Sequence, residues 1–143
     1  MTASLESRLR QLEDRAQISE TVIRYAMGVD RRDDLVGLVR DSLSGFTATQ
    51  HLSPNHVIEF SPTDPDRATC HSYMYAQHYL ENSAGGDFYL LRGSYTSQLL
   101  RTPDGWRIES LVQQVGWQEG NLNALTESRA RYQADRAAAK PPA

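Results

Sequence analysis

The run Arg67–Asn82, RATCHSYMYAQHYLEN, alternates two kinds of residue with a period of two. Ala68, Cys70, Ser72, Met74, Ala76 and His78 fall on one side, and Thr69, His71, Tyr73, Tyr75, Gln77 and Tyr79 on the other. Successive side chains on a β-strand point to opposite faces, so this pattern predicts a long strand with one face of small, adaptable residues and one rich in tyrosine. The small-residue face suits either the wall of a cavity or a core with His78 at its wetter end; periodicity alone leaves both open. A second run, FYLLRGSYTSQLLR, sets Tyr89, Leu91, Gly93, Tyr95 and Ser97 against Leu90, Arg92, Ser94 and Thr96. A glycine in mid-strand marks curvature or the close approach of another group.

What precedes the strands is helical. Leu5, Leu9, Leu12, Ala16, Val22, Ile23, Ala26 and Val29 recur at three- and four-residue steps and predict one amphipathic helix from about Ser4 to about Asp30. LVGLVRDSLSGF predicts a second, shorter helix carrying Leu35, Leu38, Val39 and Leu43 and stopping near Gly45. The stretch Gly45–Phe60 then turns to β texture, with His51 just after its start and HVIEF as the strand proper. The Pro- and Asp-rich SPTDPD, then NSAGGD and TPDG, are turns. WRIESLVQQVGW closes a four-strand antiparallel meander, and helices followed by such a sheet make the expected class α+β. Residues 1–121 read as a single domain, and residues 122–143 as a polar helix fading into a disordered tail.

Composition narrows the function. The 143 residues carry a net charge of −3 with no basic stripe, which argues against nucleic acid as a partner. No apolar run reaches the ~18 residues of a membrane span, and the charged MTASLESRLRQLEDR lacks the apolar core of a signal peptide, so a cytoplasmic protein with no membrane partner is expected. The lone Cys70 has no cysteine to pair with and reads as a small buried hydrophobe. No glycine-rich phosphate loop follows a strand, and His51, His56, His71 and His78 lack the spacing of a helical metal pair. The expectation is therefore no cofactor and no metal. His56 is expected at the surface and His71 on the outer sheet face.

Taken in order, LEDRAQISETVIRYAMGVDRRD, TQHLSPNHVIEF, SYMYAQH, RGSYTSQLLRTPDGWRI and the tryptophan close to EGN resemble the SnoaL-like branch of the nuclear transport factor 2-like superfamily. That branch includes polyketide cyclases and is related to scytalone dehydratase and hexachlorocyclohexane dehydrochlorinase. The resemblance implies an α+β cone, a curved antiparallel sheet wrapped by N-terminal helices around a deep, mostly apolar pocket. It also implies that Asp30, at the end of the first helix, orients His51 as a general base. His78 would polarise a substrate oxygen, and Arg101 would stand near an arginine that assists the departing group. Tyr25 could add a phenolic donor, and Met74, Leu91, Tyr95, Trp106 and Val112 would line the pocket with Arg101. Asp30 has a competing reading as a surface residue paired with Arg31 or Arg32. Relative to the family the chain is shortened between GVDRRD and TQHL, which would remove a helix and a strand and leave a sheet edge uncovered.

Two functions follow. One is a cofactor-independent lyase, cyclase or isomerase acting on a small hydrophobic metabolite of polyketide or terpenoid type. The other is a non-catalytic ligand-binding or dimerisation module of the same fold. A homo-oligomer, specifically a dimer, is expected from the outer-face tyrosines and the uncovered edge.

Overall fold

The computed structural model describes residues 4–31 and 37–139, without the side chains of residues 30, 31, 37 and 38. Helix α1 (Leu5–Arg31) and helix α2 (Gly37–Leu43) lead into β1 (Ala48–Leu52), β2 (Val57–Phe60), β3 (Arg67–Tyr79), β4 (Phe88–Thr102) and β5 (Gly105–Gly120), and α3 (Ala124–Ala138) follows. One antiparallel sheet runs in the order β1-β3-β4-β5, with β2 pairing β3 alongside β1. The expected meander of four strands becomes five because the stretch around His51 is a strand of its own.

The break between β1 and β2 decides which way His51 points. Leu52 lies opposite Tyr75 and Val57 opposite His71, so four residues on one strand face three on the other. This bulge holds Pro54 and Asn55, the latter in the left-handed region at φ 61°. One extra residue reverses facing, so His51, opposite Ala76, and Ile58, opposite Cys70, both point to the inner face. Two further bulges interrupt β5. Leu99 faces Ile108 while Gln98 faces Ser110, leaving Glu109 extra, and Gly116 is likewise extra between Val115 and Trp117.

The alternation expected for β3 holds: its even-numbered residues from Ala68 to His78 are buried, and the odd-numbered ones are half-buried or exposed. His71 is accordingly on the outer face and exposed, and Cys70 is fully buried, its thiol pushed up to about 11 by burial. His56 differs from expectation: it is half-buried, because its Nε2 donates to the Ser53 carbonyl at 2.7 Å across the bulge.

The stripe of α1 that meets the sheet is Ile18, Val22, Ala26 and Val29, all buried. Leu5, Leu9 and Leu12 continue the helical spacing but are exposed, since the helix runs past the end of the sheet there. At that end Ile18 and Val22 join Cys70, Leu99 and Trp106 in a dry core. A second cluster joins Val29, Leu43, Phe46, Leu80 and Tyr89 with Ala124 of α3. α3 is therefore packed into the fold despite its polar sequence. The Ser128 hydroxyl donates to the Ser42 carbonyl at 2.8 Å, and a Cβ on Gly45 would stand 1.8 Å from the Ser128 carbonyl oxygen. Only glycine admits so close an approach. Lys140 and the residues after it lie outside the described residues, as do Leu35 and most of DRRDD.

Asp14 ties α1 to the β4–β5 hairpin. It is 7% exposed and accepts from Arg101 Nη1 at 2.6 Å, Arg101 Nη2 at 2.8 Å and Trp106 Nε1 at 3.1 Å. The Arg101 hydrogen bonds hold its carboxyl below the usual carboxylate range, against the opposing effect of burial. A depressed folded-state pKa stabilises the protein above the unfolded value and loses that effect as pH falls through the folded one. Asp14→Asn should cost about 2–3 kcal/mol at pH 7, less than the ~3–5 kcal/mol of a fully buried broken pair, because Arg101 keeps Asp66 as a partner. The difference between the two proteins in urea unfolding should be full at pH 7 and shrink as the pH drops below about 4.

Candidate functional site

Two histidines meet where β1 and β3 pair. Thr49 lies opposite His78 and His51 opposite Ala76, so His51 and His78 are diagonal neighbours on the inner face. Their rings stand 5.3 Å apart edge to face. His78 is 2% exposed, packed between Phe46 at 4.8 Å and Tyr89 at 5.2 Å. His51 is half-buried. Both line a cavity of about 230 Å³ whose wall is Tyr25 and Val29 of α1, Val39, Ser42 and Leu43 of α2, Tyr89, Leu91 and Tyr95 of β4, Gln113 of β5 and Leu125 of α3. Tyr25 and Val29 are one helical turn apart and share a face, which brings the phenol to the cavity. Tyr25 also meets the Tyr95 ring edge-on at 6.2 Å.

The structure thus brings together His51, His78, Tyr25, Leu91 and Tyr95. Asp30 is the penultimate residue of α1, one position past Val29, but its side chain lies outside the described residues. Met74 is buried on the inner face against Ala76 and Tyr95, yet it does not line this cavity. Arg101 and Trp106 are a correction. They sit at the opposite end of the sheet, Arg101 twelve residues along β4 from Tyr89, or roughly 40 Å of strand. There Arg101 binds Asp14 and stacks 4.5 Å over the Trp106 ring, and Trp106 is fully buried in the dry core. Val112 is a second correction. Trp106 faces inward, but the extra Glu109 reverses the parity after it, so Val112 pairs Thr96 on the outer face and Gln113 turns inward opposite Tyr95.

Gln113 is a polar residue of the cavity that the sequence does not announce, because nothing in it marks the bulge at Glu109. Val39, Ser42 and Leu125 were missed because no local pattern says that α2 and α3 close over this end. Gly93 was legible as a point of close approach: a Cβ there would stand 1.9 Å from the Gln114 carbonyl oxygen.

The hydrogen-bonding roles follow from what each partner can do. His78 Nδ1 lies 3.3 Å from the Tyr89 carbonyl oxygen, which can only accept, so Nδ1 carries the proton. Any contact of His78 with a ligand would go through Nε2. The expected role of His78 as a donor that polarises a substrate oxygen would need a doubly protonated ring. The Tyr25 phenol is a protonated donor at neutral pH in any case, and burial pushes it further above its ordinary value. The Tyr89 hydroxyl is already given to Gln118 Oε1 at 2.7 Å. Among the described residues no group of three His, Cys, Asp or Glu side chains is placed to hold a metal ion, and no helix is long and apolar enough to cross a membrane.

Residues 31–112 match the SnoaL-like domain family, and the chain belongs to it. Its α+β cone, with a curved open antiparallel sheet, is the nuclear transport factor 2-like fold. The Kfla4162 protein of Kribbella flavida superimposes with a TM-score of 0.71 at 29% identity, over 80% of this chain and 98% of that one. Hexachlorocyclohexane dehydrochlorinase LinA-type3 from Novosphingobium barchaimii gives 0.67 at 19% identity, over 80% and 94%. A candidate scytalone dehydratase from Novosphingobium aromaticivorans gives 0.62 at 15%, over 82% and 91%. Among curated proteins none matches the sequence.

His78→Phe keeps a ring in the buried slot but leaves the Tyr89 carbonyl without its donor. It should cost about 1–3 kcal/mol in urea denaturation while the far-ultraviolet spectrum stays native.

Proposed function

We propose that the protein is a cofactor-independent lyase, cyclase or isomerase in which His51 is the general base and Asp30 its orienting carboxylate. The observation that carries this reading is the convergence of His51, His78 and Tyr25 on one apolar-walled cavity. A cavity of about 230 Å³ lies below the usual ~300–1,000 Å³ of ligand pockets, which favours a small substrate of one or two rings, a polyketide- or terpenoid-like metabolite. Structural neighbours that carry dehydrochlorinase and scytalone dehydratase names are consistent with proton-transfer chemistry on this fold.

His51 takes a proton from a carbon next to an electron-withdrawing group, and the imidazole receives it. The electron pair left on carbon then expels a leaving group from the neighbouring atom, attacks a carbonyl within the same molecule, or is reprotonated elsewhere. These three outcomes are elimination, cyclisation and isomerisation. The Tyr25 hydroxyl donates to the oxygen on which negative charge develops, and a neutral His78 accepts from a substrate hydroxyl through Nε2. A carboxylate behind His51 would fix its tautomer and stabilise the imidazolium. The working form is a cytoplasmic homodimer.

Denaturing mass spectrometry of the purified protein should identify the class of a retained small molecule. With that substrate class, His51→Gln should lower turnover by about 100- to 10,000-fold. Asp30→Asn should lower it too, and the double variant should be scarcely worse than the more damaging single one. Nitrogen-15 shifts of the His51 ring should move toward a different tautomer in Asp30→Asn. Unchanged shifts would remove Asp30 from the mechanism. A ligand that binds but is recovered chemically unchanged would replace the enzymatic reading with the binding-module one.

A further inference from the structure

The two edges of the sheet are built differently. The edge formed by β1 and β2 consists of strands of five and four residues separated by Pro54 and the left-handed Asn55, which blunts it against pairing. The other edge is β5, sixteen residues without a proline. Among the described residues β5 pairs only with β4. It carries exposed Val112, Val115 and Trp117. Such an edge is a template for another strand.

We propose that β5 pairs antiparallel with β5 of a second copy of this chain, about a two-fold axis through Gln113. The proposal places the dimer expected above at this edge and does not depend on the chemistry of the site. In this register Leu111 lies opposite Val115 and Gln113 opposite itself, all on the inner face. Arg107 falls opposite Glu119, twice, and both are exposed and on the outer face, where the partner's Arg107 would join Arg92, which already pairs with Glu119 at 3.1 Å. Opposite charges so placed stabilise a strand pair. The bulges preserve this match. Moving out from Gln113, one strand meets its extra Glu109 and the other its extra Gly116, so each arm carries one additional residue on both strands and the register beyond is kept.

The outer-face tyrosines make a weaker claim on a partner. Tyr75 gives its hydroxyl to Gln77 and receives the Arg92 guanidinium on its ring, and Tyr79 packs on Phe88. Only Tyr73, at 63%, is mostly exposed. Pairing at β5 also matters to the cavity, because Gln113 lines it. The partner's Leu111, Gln113 and Val115 would extend the inner wall beside the mouth.

The register can be read directly. Residues directly opposite across an antiparallel pair have Cα atoms about 4.5–5.5 Å apart, within disulfide range. Gln113→Cys should therefore crosslink to its own copy under oxidised glutathione. Leu111→Cys and Val115→Cys should each fail alone and crosslink when mixed. Cys70 is fully buried and will not compete. Arg107→Glu and Glu119→Arg should each weaken association about tenfold in sedimentation equilibrium, by turning two attractive pairs into two repulsive ones. Mixing the two variants, or combining them in one chain, should restore it. A monomer at tens of micromolar overturns the proposal. So does a dimer that is indifferent to both charge reversals and whose Gln113→Cys variant forms no disulfide, the result expected of an outer-face contact. Neither outcome touches the role of His51, which turnover reads separately.

Discussion

A strand repeats with a period of two, so a single extra residue exchanges every side chain beyond it between core and solvent. Three such residues govern this sheet. The bulge between β1 and β2 lets a histidine at an odd position and an isoleucine at an even one share the inner face, so His51 reaches the cavity without costing Ile58 its place in the core. The bulge at Glu109 buries Trp106 and yet turns Gln113 inward, and the bulge at Gly116 returns the parity so that Gln118 can receive the Tyr89 hydroxyl. Gly93, opposite the second half of β5, lacks the Cβ that would collide with the Gln114 carbonyl, so the strands close up where the sheet bends.

The inner face is divided into two ends with different physics. At one, α1 lies against the sheet through Ile18 and Val22, and Asp14 receives three donors from Arg101 and Trp106. Every polar group in that ion-paired knot has a partner, as a buried carboxylate requires. At the other end α1 presents Tyr25 and Val29, and α2 and α3 complete the enclosure. The dry end fixes the position of the helix, and the cavity end inherits that position. Rigid support from outside the site is what holds facing groups in hydrogen-bonding range.

The sequence makes legible whatever depends on local period. The facing of β3 from Ala68 to His78, the burial of Cys70, the exposure of His71 and the tight approach at Gly93 all follow from alternation or from a missing side chain. What fails depends on one-residue offsets and on distant closure. Val112 reads as inward because no composition signal marks Glu109 as extra, and Trp106 and Arg101 read as cavity residues because alternation gives facing but not position along a strand some forty ångströms long. Leu5, Leu9 and Leu12 keep the helical stripe after the sheet beneath them has ended. The polar sequence of α3 hides its packing, which rests on Ala124, Ser128 and the glycine facing it rather than on large apolar residues.

The donor and acceptor inventory of the cavity limits what can occupy it. Tyr25 offers a protonated hydroxyl, and the proton on His78 Nδ1 is directed to the Tyr89 backbone. A molecule matched to the phenol carries an acceptor oxygen near α1, with apolar surface against Leu91, Leu43 and Val29. A wholly apolar ligand would displace water from the phenol and offer it no acceptor in return, a cost of about 1–3 kcal/mol. That penalty favours a ligand carrying an acceptor oxygen over a hydrocarbon of the same shape.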